Sequence, residues 1–211
     1  MKTLGIIAQK GGTGKTTLSI HLAVQASLSG LQVLLLDMDP QASATSWWNR
    51  RREQTPELTQ CRGDALAGVL QTARDRGYDL VVIDTAPHSS EDATTCARLS
   101  DRVCIPTRPA ILDLDAIGPS TDLVSAVGVS ANIVLNSCPP PTMFGEPHIV
   151  AEAREALKVY ETPVCDVAIS QRVAFSHALI DGRSVSEYDR SGKAAGEIER
   201  LWRTLREEME L

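Results

Sequence analysis

Short, wholly apolar runs alternate along this chain with longer stretches in which apolar positions recur at helical spacing. Thr3 to Ala8 is such a run and ends in a glycine-rich turn; Thr16 to Ser29 then reads as a helix stopped by Gly30. The unit repeats, with a buried strand at Gln32 to Leu36, a helix at Asp64 to Arg76 closed by Gly77, and another strand at Leu80 to Ile83. Further strands are predicted at Arg102 to Ile105, Ala131 to Leu135 and Pro163 to Val167, and helices at Leu114 to Val127, Ile149 to Val159 and Gly196 to Met209. This alternation implies right-handed strand–helix–strand units, hence an α/β fold with a mostly parallel central sheet flanked by helices on both faces. No internal repeat or low-complexity linker interrupts it. Pro139-Pro140-Pro141 marks a stiff surface loop after a strand, where an open α/β sheet meets its ligand.

Composition narrows the picture. With 211 residues, 43% hydrophobic and 23% charged, the chain is sized and balanced for one soluble globular domain over 1–211. The five cysteines are odd in number, scattered and without zinc spacing, as buried thiols of a reducing compartment are. Met1 leads directly into the first strand, and no apolar run approaches the length of a membrane span, so the expected location is the cytoplasm. A formal net charge of −6 disfavours indiscriminate binding to nucleic acid, so any DNA contact must come from a local basic patch.

Between the first strand and helix stands Gly11-Gly12-Thr13-Gly14-Lys15-Thr16-Thr17. Glycines there let backbone N–H groups converge on phosphate oxygens, and the positive end of the following helix adds to the attraction. Lys15 then reaches the β- and γ-phosphates, the Thr16 hydroxyl ligates Mg²⁺ and Thr17 supports the α-phosphate, which predicts a P-loop nucleotide site. A plain glycine turn would require neither the lysine nor the paired hydroxyls. Two apolar strands deliver carboxylates to their C-terminal ends, Val81-Val82-Ile83-Asp84 and Leu34-Leu35-Leu36-Asp37-Met38-Asp39. Taken singly these are ordinary loop-capping acids. Beside a phosphate loop they become candidates for metal binding and water activation.

The segment Lys10-Gly11-Gly12-Thr13-Gly14-Lys15-Thr16-Thr17, with a lysine at each end, resembles the deviant Walker A motif of the ParA/MinD ATPases. Asp37 to Ser43 is similar to their switch I segment, Asp84-Thr85-Ala86-Pro87 to Walker B and switch II, and Asp181 to Asp189 to a later ParA segment. The resemblance implies an ATPase using ATP and Mg²⁺, weak alone and stimulated by a partner. It further implies a homodimer closed by ATP, with Lys10 crossing to the other subunit's phosphates, and Asp39 orienting the attacking water. The phosphate cradle is then Lys10 to Thr17, the catalytic set Lys10, Lys15 and Asp39, and the metal set Thr16, Asp39 and Asp84. Asn136, which ends Ile133-Val134-Leu135-Asn136, stands where the family reads adenine, and Ile169 opens a loop where relatives carry Ile-Pro-Arg, the proline being absent here.

Several features bear on the subtype. The loop starts within ten residues of Met1, leaving no room ahead of it for a winged helix-turn-helix. Ile198, Leu201, Trp202, Leu205 and Met209 form an apolar helix stripe of the kind that MinD-like proteins use as a membrane anchor. Glu197, Glu199, Glu207, Glu208 and Glu210 match anionic lipid poorly, which favours a helix packed on the core. Arg50-Arg51-Arg52 reads as a solvated helix face beside Trp47 and Trp48. Arg183, Arg190, Lys193, Arg200 and Arg203 are placed by resemblance for a sequence-independent DNA surface, with an ordinary solvated surface as the alternative. The expectation is a nucleoid-associated ParA-type switch that moves a plasmid, a chromosomal locus or a protein assembly through a ParB-like or other adaptor. The alternatives are a MinD-like membrane regulator and an iron–sulfur electron donor, which needs exposed cysteine thiolates.

Overall fold

The computed structural model describes every residue except His88 and Phe144. Strand β1 (Lys2–Ile6) lies between β4 (Leu80–Asp84) and β5 (Arg102–Thr107). With β2 (Val33–Asp37), β3 (Glu57–Gln60) and β6 (Ala131–Leu135) they form one six-stranded sheet in the order β3-β2-β4-β1-β5-β6, every pairing parallel. All strands therefore point their carboxyl ends to the same edge.

The apolar runs are continuous because both faces of the sheet are covered. Leu4, Ile6, Leu35, Val82, Cys104 and Val134 pack toward α1 (Lys15–Leu28), α8 (Val173–Ile180), α9 (Val185–Tyr188) and α10 (Lys193–Met209). Alternate residues, among them Leu34, Leu36, Val81, Ile83, Val103 and Ile105, pack toward α3 (Leu66–Asp75), α4 (Ser90–Arg98), α6 (Gly118–Val127) and α7 (His148–Leu157). The expected sheet with helices on both faces is the observed one. Each of these side chains contributes about 1.5 to 3 kcal/mol by leaving water, which gives the loops at the carboxyl edge a stiff base.

The structure departs from the predicted elements at definite places. Pro163 to Val167 is not a strand; Val164 bridges Ile133 alone, and Cys165 and Ile169 donate to Ile133 and Leu135 carbonyls along an irregular edge. The helix expected at Leu114 to Val127 breaks into α5 (Ile111–Leu114) and α6, which restarts at Gly118-Pro119 with proline in its first turn. The strand β3 and the helices α2 (Ser43–Trp48), α8 and α9 had no clear pattern in the sequence.

Two surface expectations are settled by burial. The α10 stripe lies in the core, with Ile198, Leu201 and Leu205 wholly buried and Trp202 donating to Ser29 Oγ at 3.2 Å, so it offers no face to a bilayer. Among the described residues no helix is long and apolar enough to cross a membrane. Arg50 to Arg52 lie beyond α2, and Arg51 is no solvated charge: its side chain is 2% exposed, pairs with Glu187 at 2.7 Å and donates to Gly182 O. Gly182 (φ +75°) allows this approach, since a Cβ there would stand 2.4 Å from the Arg51 backbone.

A candidate nucleotide site at the carboxyl ends of the strands

After β1 the chain turns through the glycine loop into α1, whose first residue is Lys15. Gly14 precedes it with φ 96° and supplies no side-chain cap, and the first turn of α1 holds no acidic residue. The unpaired N–H groups and positive dipole end of this helix are thus left for an external anion. Gly14 is required here by space as well as by φ. A Cβ would lie 2.1 Å from Asn136 Nδ2, which donates to Thr13 O at 2.7 Å and so fastens the loop to the end of β6. Lys15 folds back over its own loop, with Nζ 3.5 Å from Lys10 O and 6% exposure. Burial lowers its pKa, while Asp84 and then Asp39 act to raise it. Both carboxylates therefore act on the lysine's charge.

Parallel registry sets Asp37 beside Asp84 at the ends of β2 and β4. Asp84 is fully buried; its Oδ1 accepts from Ser19 Oγ at 3.1 Å, and among the described residues its Oδ2 has no hydrogen-bond partner. Desolvation pushes its pKa up to about 7, against the pull of the Thr16 hydroxyl. An orphaned buried carboxylate oxygen beside a threonine hydroxyl fits a hydrated magnesium ion held mainly by phosphates. It fits no protein-only cage, for among the described residues no three metal-ligating side chains cluster. Asp37 is fully occupied: its oxygens accept from Asp39 N (3.2 Å), Thr45 N and Thr45 Oγ1 (both 2.8 Å). It holds the segment that carries Asp39. Asp39 is half-buried, and its Oδ1 accepts from Gln41 N at 2.9 Å.

Unlike Lys15, Lys10 has partners outside the loop. Its Nζ donates to Leu112 O at 2.7 Å and lies 3.4 Å from Asp113 Oδ1, with 31% of the side chain exposed. At the other end of the site, Ile169 has its side chain in the core, its N–H on Leu135 O and its C=O accepting from Cys138 N. It anchors the loop beside Asn136 and offers no free main-chain group.

The chain matches the CobQ/CobB/MinD/ParA nucleotide binding domain over residues 4–185. It belongs to this family. It is 32% identical over 213 aligned residues, covering 99% of this chain and 94% of the relative, to maintenance of carboxysome distribution protein A of Gloeobacter kilaueensis. It is also 29% identical to the chromosome-partitioning ATPase Soj of Thermus thermophilus, across 56% of this chain and 59% of Soj. Its fold is similar to apo McdA of Cyanothece (TM-score 0.82, 18% identity, 97% and 99% of the two chains). It is similar too to septum site-determining protein MinD of Pyrococcus horikoshii, solved with Mg-ADP (TM-score 0.79, 18% identity, 97% and 95%). The chain is thus a ParA/MinD-family ATPase domain.

Some participants escaped the linear reading. Ser19 lies one turn after Lys15, so helical spacing alone puts it on the side of α1 that carries Lys15, and the fold brings that side to Asp84. Glu197, expected on the polar face of α10, is 3% exposed and accepts from Ser170 N, Ser170 Oγ and Arg172, the last at 2.6 Å. It ties the loop after Ile169 to α10. All five cysteines are buried, and burial raises their thiol pKa values, so none presents a thiolate at the surface.

Proposed function

We propose that this chain is an ATP-dependent dimerising switch that positions a cargo over the nucleoid, binding DNA without sequence preference while ATP is held. The observation that carries the reading is the divergence of the two lysines, Lys15 over its own loop and Lys10 out to the loop's edge. In this reading Lys15 and the uncapped start of α1 hold the β- and γ-phosphates, and Lys10 serves the phosphates of a second subunit. Thr16 and Asp84 would hold magnesium, which when bound would neutralise charge on the phosphate oxygens. Asp39, half-buried and within the field of Lys15, orients the attacking water and takes its proton. Asn136 keeps the loop in place, and the family resemblance sets it beside the adenine.

For DNA the chain offers exposed Arg190, Lys193, Arg200 and Arg203. Lys193, Arg200 and Arg203 recur at helical spacing along α10 and so share one side of it. Arg183 contributes less, being paired with Asp181 at 2.7 Å and stacked over Tyr188. Two relatives that align with more than nine tenths of the chain, at 32% and 27% identity, are named for carboxysome distribution, against a Soj protein at 23% over the same share, and the higher identities favour a protein assembly reached through an adaptor as cargo over a plasmid or chromosomal locus. A membrane-bound regulator is disfavoured by the burial of the α10 stripe.

Gel shifts with random-sequence DNA test the reading. Binding is expected with ATP, not with ADP, and should weaken steeply as salt rises, because only a handful of cations neutralise phosphates. Tight binding without nucleotide, or preference for one short sequence, would replace it.

A further inference from the structure

Lys10 is held within its own subunit by α5. Beyond its bond to Leu112 O, its ammonium shares one carboxylate oxygen with a second cation: Asp113 Oδ1 lies 3.4 Å from Lys10 Nζ and accepts from Arg108 Nε (3.3 Å) and Nη2 (3.2 Å). The Asp113 side chain is 4% exposed, and Thr107 Oγ1 donates to Asp113 O at 3.4 Å, tying this turn to the end of β5. Ile111 and Leu112 beside it are 69% and 71% exposed, so Lys10 sits at the surface and leaves without unpacking the core.

We propose that Asp113 is a positioning residue that parks Lys10 in cis until a second copy of this chain presents bound phosphates, and that Arg108 keeps the carboxylate compensated when Lys10 departs. The inference rests on the reading of Lys10 as a residue that acts in trans. A buried carboxylate deprived of its only cation is strongly destabilised, so a lysine paired alone with Asp113 would be locked in place. With the planar guanidinium of Arg108 already donating twice to the same oxygen, Lys10 on its flexible stem is the cation free to go. Parking competes with dimer formation, because every dimer must first break the Lys10–Asp113 contact. An ion pair with no bearing on dimerisation is the rival account.

The two accounts differ in the sign of two substitutions, read as the protein concentration at which half the chain is dimeric with saturating ATP in sedimentation velocity. Asp113→Asn should release Lys10 and lower this midpoint about five-fold, the combined scale of two partly exposed ion pairs, one broken in each subunit. Arg108→Ala should raise it, since among the described residues Asp113 then has Lys10 as its only cation. In a Lys10→Ala background, which is expected to stay monomeric, Asp113→Asn should restore no dimer. A static structural role would move both single variants the same way. Shifts in the same direction, or no shift for Asp113→Asn in folded protein, would overturn the proposal; should Asp113→Asn fail to fold, the sign for Arg108→Ala decides. If Lys10→Ala dimerises like the parent, it is the trans reading of Lys10 that fails.

Discussion

Replacing Gly14 with alanine tests how the phosphate loop is built. At φ 96° an alanine pays the left-handed penalty, about 1 to 2 kcal/mol. Its Cβ would also stand 2.1 Å from Asn136 Nδ2, so Asn136 must swing away and lose its bond to Thr13 O, a further loss of about 1 kcal/mol. The sum, about 2 to 3 kcal/mol, has two outlets. Carried by the whole fold, it lowers the melting temperature by about 4 to 12 °C for a chain of this size. Carried by the loop alone, it weakens ATP binding about 30- to 140-fold. Scanning calorimetry and fluorescent ATP titration on Gly14→Ala, Asn136→Ala and the double variant separate the parts. The double variant should cost no more than Gly14→Ala, because the first substitution has already broken the Asn136 bond. Additive costs, or a Gly14→Ala protein with parental stability and affinity, would refute the argument.

Three further outcomes follow from named groups. His21 is wholly buried, its Nδ1 accepts from Val185 N at 3.2 Å, and burial depresses its pKa to about 3. The folded state binds fewer protons than the unfolded one, so this contribution is complete above about pH 6.5 and is lost by up to about 1.4 kcal/mol per pH unit toward pH 3; urea unfolding of His21→Gln should show a shallower acid slope, and an unchanged slope counts against it. Glu197→Ala strands Arg172 and Ser170 in a buried setting and should cost about 3 kcal/mol in chemical denaturation, with a loss under 1 kcal/mol pointing to local relaxation instead. Asp39→Ala should keep ATP affinity but lower steady-state phosphate release about 100-fold or more; parental turnover would move the water-orienting role elsewhere.

What could be read from the sequence follows from how local each feature is. The strands β1, β2, β4, β5 and β6 are legible because burial on both faces makes them unbroken apolar runs, and the loop is legible because its glycines, lysines and hydroxyls lie within eight successive positions. The edge strand β3 is not, since Glu57, Thr59 and Gln60 are exposed and carry no apolar signal. Pro163 to Val167 misled because Val164, Cys165 and Val167 pack against the core while its main chain follows the sheet edge irregularly. Charged side chains were the hardest to place. Arg51 and Glu197 look like solvent residues until partners 136 and 25 positions away are brought against them by the fold. The hold of α5 on Lys10 spans 102 positions and has no signature in linear order.

Light scattering coupled to size exclusion, run on the parent, Lys15→Ala and Lys10→Ala with ATP and with ADP, tests the central claim most directly. The account predicts a dimer for the parent with ATP alone, no nucleotide binding by Lys15→Ala, and a Lys10→Ala protein that binds fluorescent ATP yet stays monomeric. A Lys10→Ala protein that dimerises with ATP and hydrolyses it at the parental rate would contradict it.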